Sequence, residues 1–301
     1  MPAQTQVTIV GSSNVDITAL MERLPGPGET VFADSYRLTP GGKGANQALA
    51  AALAGASTEF IGAVGNDTHA EIALSQLAEA GVKLDRVSHI DGSTGIAIIS
   101  VDARAENSIA VISGANSTLG ATEVNAAGEI HGVLVLQGEI PASGIYAAMD
   151  KAQAQIVLNL APVIDLEREY LLRANPLVAN EHEAAMILAQ LEGTTELSDE
   201  AEPILARRLC EQGLESVVIT LGGEGCLVAT REDETITQIA AHKVKAVDTT
   251  GAGDAFTGAL AARLAQGDSL IAAAEFAGKF AASTVQRHGA QASYPRSLEN
   301  L

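Results

Sequence analysis

A three-layer α/β/α fold, with a mostly parallel sheet and a small β-sheet lid, is the class this sequence predicts. Three observations carry it. Short β-branched runs alternate with alanine-rich helical stretches over most of the 301 residues. Two stretches, about 16–40 and 93–114, lack any helical period and read as β insertions into a single domain spanning 1–301. Clusters rich in Gly, Asn and Asp follow the strand-like runs, where ligands bind in parallel sheets.

Taken in order, "QVTIVG" from Gln6 reads as a strand, and "GANQALAAALAGA" as a helix ended by glycine. "STEFIGAVG" is a strand and "THAEIALSQLAEAG" a helix, and "GVLVLQ", "QIVLNLAP", "NPLVANE" and "SVVITLGGEGCLVA" supply further strands. Between them Ala142–Ala154, Glu181–Gln190 and Ala201–Gln212 look helical. From Ala255 the pattern is helical again, with Phe256, Leu260 and Leu264 four apart. The first insertion is punctuated by Pro25-Gly26-Pro27-Gly28, and the second reads as a hairpin with a polar turn; such pieces often act as lids. Alternation of Ile96, Ile98, Ile109 and Val111 predicts an apolar face that a thin lid cannot bury, and hence a twofold homodimer joined through it. The acidic 191–203 stretch reads as solvated surface.

Hydrophobic residues make up 47% of the chain but aromatics only 3%, so the core must be aliphatic. Lys and Arg number 18 against 37 Asp and Glu, a net charge of −19 that repels nucleic-acid backbones and anionic lipid. A nucleotide is not excluded, because local dipoles and a metal outweigh a distant net charge. Cys210 and Cys226 suit buried hydrophobes better than a disulfide or zinc site. The N-terminal residues show no basic flank before an apolar run, and no run has the length of a membrane span, so a soluble, reduced, cytoplasmic protein is expected.

Five motifs could carry chemistry. Asn14 and Asp16 in "GSSNVD" are two apart, so in extended chain they share a face, although a turn-forming pair fits equally. In "PGGKGANQALAA", Lys43 lies among Gly41, Gly42 and Gly44, with Asn46 near a helix start; no Ser or Thr follows Lys43, so this is not a Walker A loop, and a glycine turn with a capping Asn also fits. "NEHE", Asn180 to Glu183, offers oxygen ligands for a hydrated Mg²⁺, or simply an N-cap with first-turn acids. "ITLGGEG", Ile219 to Gly225, is a strand running into glycines that suits either close nucleotide approach or a hairpin turn. Finally, "VDTTGAGDAF" places Asp254 at a helix N-terminus beside Gly251 and Gly253, where free N–H groups and the dipole favour an anion. It is not the dinucleotide fingerprint, since Phe256 replaces the third glycine.

Each motif is weak singly, but "GGKGANQA" and "DTTGAGDAF" together resemble the two signatures of the PfkB-type carbohydrate kinases. With "GSSNVD", "PGPGE", "NEHE", "ITLGGEG" and "HGAQAS", the likeness runs from Val7 to about Pro295 and is strongest to the ribose-phosphorylating members. The resemblance implies ATP-dependent phosphorylation of the 5-hydroxyl of D-ribose, with Asp254 as general base and the Gly251, Ala252 and Gly253 N–H groups as anion hole. It further implies that Asn14, Asp16, Gly42, Lys43, Asn46 and Glu139 hold the sugar. Asn180, Thr220, Leu221, Gly222, Gly223, Glu224, Gly225, Gly253 and Gly278 would approach the nucleotide, with Glu183 ordering Mg²⁺ and its waters. Asp248, Thr250, Thr284, Arg287, Gly289 and Ser293 would surround an activating K⁺. Gly278 stands where family members can carry a larger adenine-contacting side chain. Other readings are a kinase of the family for fructose, deoxyribose, adenosine or pseudouridine, a non-catalytic sugar-binding protein, or a dinucleotide oxidoreductase. Sparse aromatics disfavour adenosine, Asp254 with both glycines disfavours a non-catalytic protein, and the missing fingerprint disfavours the oxidoreductase.

Overall fold

Strand and helix alternate along the computed structural model, which describes residues 6–299 apart from 105 and 154. Strand β1 (Gln6–Val10) leads into β2 (Asn14–Met21) and β3 (Ala33–Gly41), and α1 (Lys43–Leu53) follows at once. Next come β4 (Ser57–Gly65), α2 (Thr68–Glu79), β5 (Lys83–Ile90), β6 (Gly95–Val101), β7 (Asn107–Ile112) and α3 (Ala121–Ala126). The middle of the chain supplies β8 (Val133–Gln137), α4 (Ala142–Lys151), β9 (Ile156–Asn159), α5 (Arg168–Leu171), β10 (Leu177–Asn180), α6 (Glu181–Glu192) and α7 (Glu202–Glu211). The chain closes with β11 (Ser216–Thr220), β12 (Gly225–Thr230), β13 (Thr237–Ala240), α8 (Ala252–Ala265) and α9 (Leu270–Thr284).

Nine strands form one sheet in the order β13-β12-β11-β10-β9-β8-β1-β4-β5, parallel from β5 to β11 and antiparallel at β12 and β13. The order reverses at β1, so the carboxyl ends of β1 and β8 flank the crevice that such a switch point creates. Both faces are covered, as a parallel sheet requires. Leu134 and Leu136 of β8 pack into one apolar cluster with Ile145 of α4 and Leu188 of α6. Val133 and Val135 of the same strand join Leu49 of α1, Leu260 of α8 and Phe280 of α9 on the other side. Cys210 and Cys226 are buried within these two layers, and burial pushes the Cys226 thiol up to about 12. No helix among the described residues is long and apolar enough to cross a membrane.

The lid is a four-stranded sheet in the order β3-β2-β6-β7. Its register corrects one expectation. Ile96 pairs with Ile112 and Ile98 with Ala110, whereas Ile109 pairs with Ile99 and Val111 with Ala97. Paired residues share a face, so Ile96 and Ile98 lie on one side and Ile109 and Val111 on the other. Asp16 pairs with Ala97 and therefore shares the side of Ile109 and Val111. Helix α8 starts at Ala252, three residues before its apolar period sets in at Ala255, and Asp254 falls in its first turn. The helix carrying Ala142 ends at Lys151, and Ala154 lies outside the described residues.

Candidate active site

The turn after β1 and the first turn of α1 meet at the carboxyl edge of the sheet. Gly42 has φ 88°, and a Cβ there would sit 2.8 Å from the Asn14 nitrogen; one on Gly44 would sit 2.6 Å from the Ser12 nitrogen. These glycines bring two backbones together, and Gly42 is the N-cap of α1. Asn46 is thus inside the helix and not its cap. A Cβ on Gly41 would overlap the Asp16 carboxylate, which lies against that backbone.

Asn14 is oriented by Asn116, a residue the sequence reading missed. The Ser13 N–H donates to Asn116 Oδ1 (2.9 Å), and Asn116 Nδ2 donates to Asn14 Oδ1 (2.7 Å), which leaves the Asn14 amide nitrogen for a ligand. Asn14, Ser12, Asn116, Val111 and Glu139 line a cavity of about 390 Å³ between lid and core. Glu139 is held there by the Ser12 hydroxyl and by the Lys43 backbone N–H at 3.0 Å. Burial, and then the Glu139 and Asp254 carboxylates, push Asp16 up to about 6. The Asp254 carboxylate raises the Lys43 ammonium above its ordinary range against the opposing effect of burial, and Glu139 and Glu183 add to it. Asp16, Lys43, Glu139 and Asp254 are therefore one electrostatic cluster.

Asp254 is 6% exposed, in the first turn of α8. Asn46 Nδ2 donates to its Oδ2 (2.9 Å) and Gln47 Nε2 to its Oδ1 (2.9 Å), so α1 supplies both of its side-chain donors. Asn46 Oδ1 in turn accepts from Gln291 Nε2 (2.9 Å). Gly251 caps α8 with φ 74°, and Tyr294 Oη donates to its carbonyl (3.0 Å). The Ala252 N–H donates to the Thr249 carbonyl (3.2 Å), whereas the Gly251 and Gly253 N–H groups have no backbone partner among the described residues. Donors without a backbone partner thus lie at a helix N-terminus beside a buried carboxylate.

On the other side of that turn lies a cavity of about 550 Å³. Thr220, Gly222, Gly223, Gly225, Gly253 and Gly278 line it, while Asn180, Leu221 and Glu224 do not. A Cβ on Gly222, Gly223, Gly253 or Gly278 would meet nothing within 4 Å, so these positions hold the cavity open. Its opposite wall, from Ile239 through His242, Lys243 and Val244, had no recognisable motif. Asn180 and Glu183 form a reciprocal capping box on α6: the Glu183 N–H donates to Asn180 Oδ1 (2.8 Å) and the Asn180 N–H to Glu183 Oε2 (2.9 Å).

Asp248, Thr250 and Gly289 converge. Asp248 Oδ1 accepts from Thr250 Oγ1 (2.6 Å) and the Thr250 N–H (2.9 Å), and Oδ2 accepts from the Gly289 N–H (2.8 Å). Burial raises this carboxyl, but the Gly289 and Thr250 donors outweigh it and hold Asp248 below the ordinary carboxylate range. The same loop is closed by the Arg287 N–H on the Thr284 carbonyl (3.1 Å) and by Ser293 Oγ on the Ala290 carbonyl (2.8 Å).

Residues 4–297 match the model of the pfkB family carbohydrate kinases. The ribokinase of Schizosaccharomyces pombe is 37% identical over 97% of this chain and 96% of its own. The deoxyribokinase of Salmonella typhi is 34% identical over 98% and 97%. The solved structure of Arabidopsis thaliana ribokinase complexed with ribose and ATP superposes with a TM-score of 0.84 at 31% identity, covering 97% of this chain and 96% of that one. By family model, by full-length relatives and by fold, this chain belongs to the pfkB family of carbohydrate kinases.

Proposed function

We propose that the chain phosphorylates D-ribose at its 5-hydroxyl with ATP, the sugar in the cavity under the lid and the nucleotide in the glycine-lined one. The observation that carries this reading is the position of Asp254: a buried carboxylate beside the Gly251 and Gly253 N–H groups, which have no backbone partner, in the turn that adjoins the nucleotide cavity. Asp254 takes the hydroxyl proton as the oxygen attacks the γ-phosphorus, the bond from that phosphorus to the β,γ-bridging oxygen breaks, and ADP leaves with its electron pair. The Gly251 and Gly253 N–H groups, with Ala252 between them, receive the charge that develops on the transferring phosphoryl group. Asn14 donates to a sugar hydroxyl, while Asp16 and Glu139 accept from others; Lys43, held protonated by Asp254, balances their charge. Gly42 and Asn46 complete the sugar side, with Asn46 also holding Asp254.

Asn180, Thr220, Leu221, Gly222, Gly223, Glu224, Gly225 and Gly278 are assigned to the nucleotide. Glu183 lies within electrostatic reach of Lys43, and its hard oxygens fit water on Mg²⁺, which when bound neutralises phosphate charge. Among the described residues no three His, Cys, Asp or Glu side chains converge on a metal position. A cation at Asp248 would thus rest on one carboxylate, Thr250 and carbonyls near Thr284, Arg287, Gly289 and Ser293, a set suited to K⁺. Its role is to order the loop behind Gly251. The chain is further assigned to a homodimer through the lid.

Coupled ADP release tests the assignment: D-ribose is expected to give the highest kcat/KM among pentoses, hexoses and nucleosides. A higher value for 2-deoxy-D-ribose would move the reading to that sugar, which the Salmonella typhi relative makes the competing candidate. Asp254→Asn is expected to lower kcat by about 10²–10⁴-fold while sugar binding persists; near-normal turnover would remove the base.

A further inference from the structure

We propose that Gln47 is a positioning residue for phosphoryl transfer, holding the Asp254 carboxylate through a chain of buried amides anchored on the backbone of β10. This rests on Asp254 being the base. Gln47 is 0% exposed, and its amide is fully used. Its Nε2 donates to Asp254 Oδ1 (2.9 Å) and to Asn159 Oδ1 (3.0 Å), and its Oε1 accepts from Gln137 Nε2 (2.7 Å).

The direction of this chain follows from one fixed end. Asn159 Nδ2 donates to the Val178 carbonyl (3.0 Å), a backbone acceptor that cannot exchange roles. Asn159 must therefore present its oxygen to Gln47, and Gln47 must present its nitrogen to Asn159. With that nitrogen also facing Asp254, the carboxylate always meets a donor on Oδ1. A donor so directed holds the carboxylate plane in one orientation and leaves the remaining lone pairs aimed where the substrate hydroxyl arrives.

Val178 is two residues before Asn180, on a strand hydrogen-bonded to β11, whose end opens into the nucleotide cavity. The chain thus ties the base to the part of the sheet that positions the nucleotide. Donor phosphate and acceptor base keep a common frame because both refer to β10.

Gln47→Met keeps the length of the side chain and removes its amide. We expect kcat to fall about 10–100-fold, the loss that misplacement of a reacting group brings, with KM for both substrates changed less than about twofold. The decisive readout is a double-mutant cycle with Asp254→Asn. If Gln47 acts through the carboxylate, Gln47→Met changes the residual rate of the Asp254→Asn enzyme by less than about twofold. Equal fold-losses in both backgrounds would show a merely structural amide and overturn the proposal, as would an unchanged kcat when Asp254 is present. Near-normal turnover of Asp254→Asn alone would instead remove the base beneath it, and is read from that single variant. Should Gln47→Met fail to fold, Gln137→Met carries the same cycle, since it frees Gln47 Oε1 without touching Asp254. A loss of several-fold confined to the Asp254 background is expected, and no loss overturns the proposal.

Discussion

Asp16 shows how a ligand site is built against stability. Its carboxylate lies over Gly41 and beside two other carboxylates, which with burial raises it to about 6. The folded state therefore holds this proton more tightly than the unfolded chain does. Stability falls as pH rises from the ordinary carboxylate range through about 6, and the cost is fully present above it. Asp16→Asn is accordingly expected to raise the melting temperature at pH 8 while weakening sugar affinity at least tenfold, about the energy of one hydrogen bond to a charged group. The sugar KM of the unmodified enzyme should climb as pH drops below about 6, where Asp16 takes up its proton, and titration calorimetry across that interval checks it. Asn14 and Asp16 were legible in the sequence because period-2 spacing needs no tertiary knowledge. Gln47, Gln137, Asn159 and Gln291 were not. An amide in an alanine-rich helix looks like any surface residue until a partner 207 positions away, as Asp254 is for Gln47, is brought to it.

Among the elements, α8 separates two glycines that the sequence made look alike. A Cβ on Gly251 would sit 2.8 Å from the Ala290 Cβ, at φ 74°, whereas one on Gly253 meets nothing. Gly251→Ala should therefore destabilise the fold by about 1–2 kcal/mol from backbone handedness alone, before the overlap is counted. Gly253→Ala should melt no lower than the unmodified protein yet raise KM for ATP several-fold, because its methyl enters the nucleotide cavity. Equal thermal losses in the two variants would contradict this division. The place of Asp254 in the first turn of α8 was legible, but the cap itself was not, because Gly251 carries no helical signal and a cap defined by positive φ is visible only in the backbone. Strand β5 escaped notice for another reason. It is the edge of the sheet, and "KLDRVSHI" mixes exposed and half-buried positions without a clean alternation.

At the scale of the whole molecule, the paired signatures and the strand–helix rhythm were enough for the fold, but the faces of the lid were not. Which residues share a side depends on pairing register, and that is fixed by turns the sequence leaves open. The observed register gives the dimer proposal two separable tests. Ile98 is exposed on the side away from Asp16, and Ile109 on the side facing it. Ile98→Glu is expected to shift sedimentation to the monomer, and Ile109→Glu to raise the sugar KM with the oligomer kept. A monomeric unmodified protein at micromolar concentration would end the dimer. Rates compared in K⁺, Na⁺ and Li⁺ at matched ionic strength should be highest in K⁺, and identical rates would remove the cation. The lid joins the core through short connections: residues 11–13 lead from β1 to Asn14 of β2, and β3 ends at Gly41, directly against α1. A pivot at that junction would consist of residues assigned to the sugar. With 8 residues in β2, the far end lies about 26 Å from that pivot, so a swing of about 10° moves it about 5 Å and the pivot hardly at all. A fractional shift around a hydroxyl would thereby be magnified at Phe32, which is 95% exposed near that far end. Because the chain contains no tryptophan, Phe32→Trp would install a solitary indole whose fluorescence reads sugar occupancy from a lever arm away.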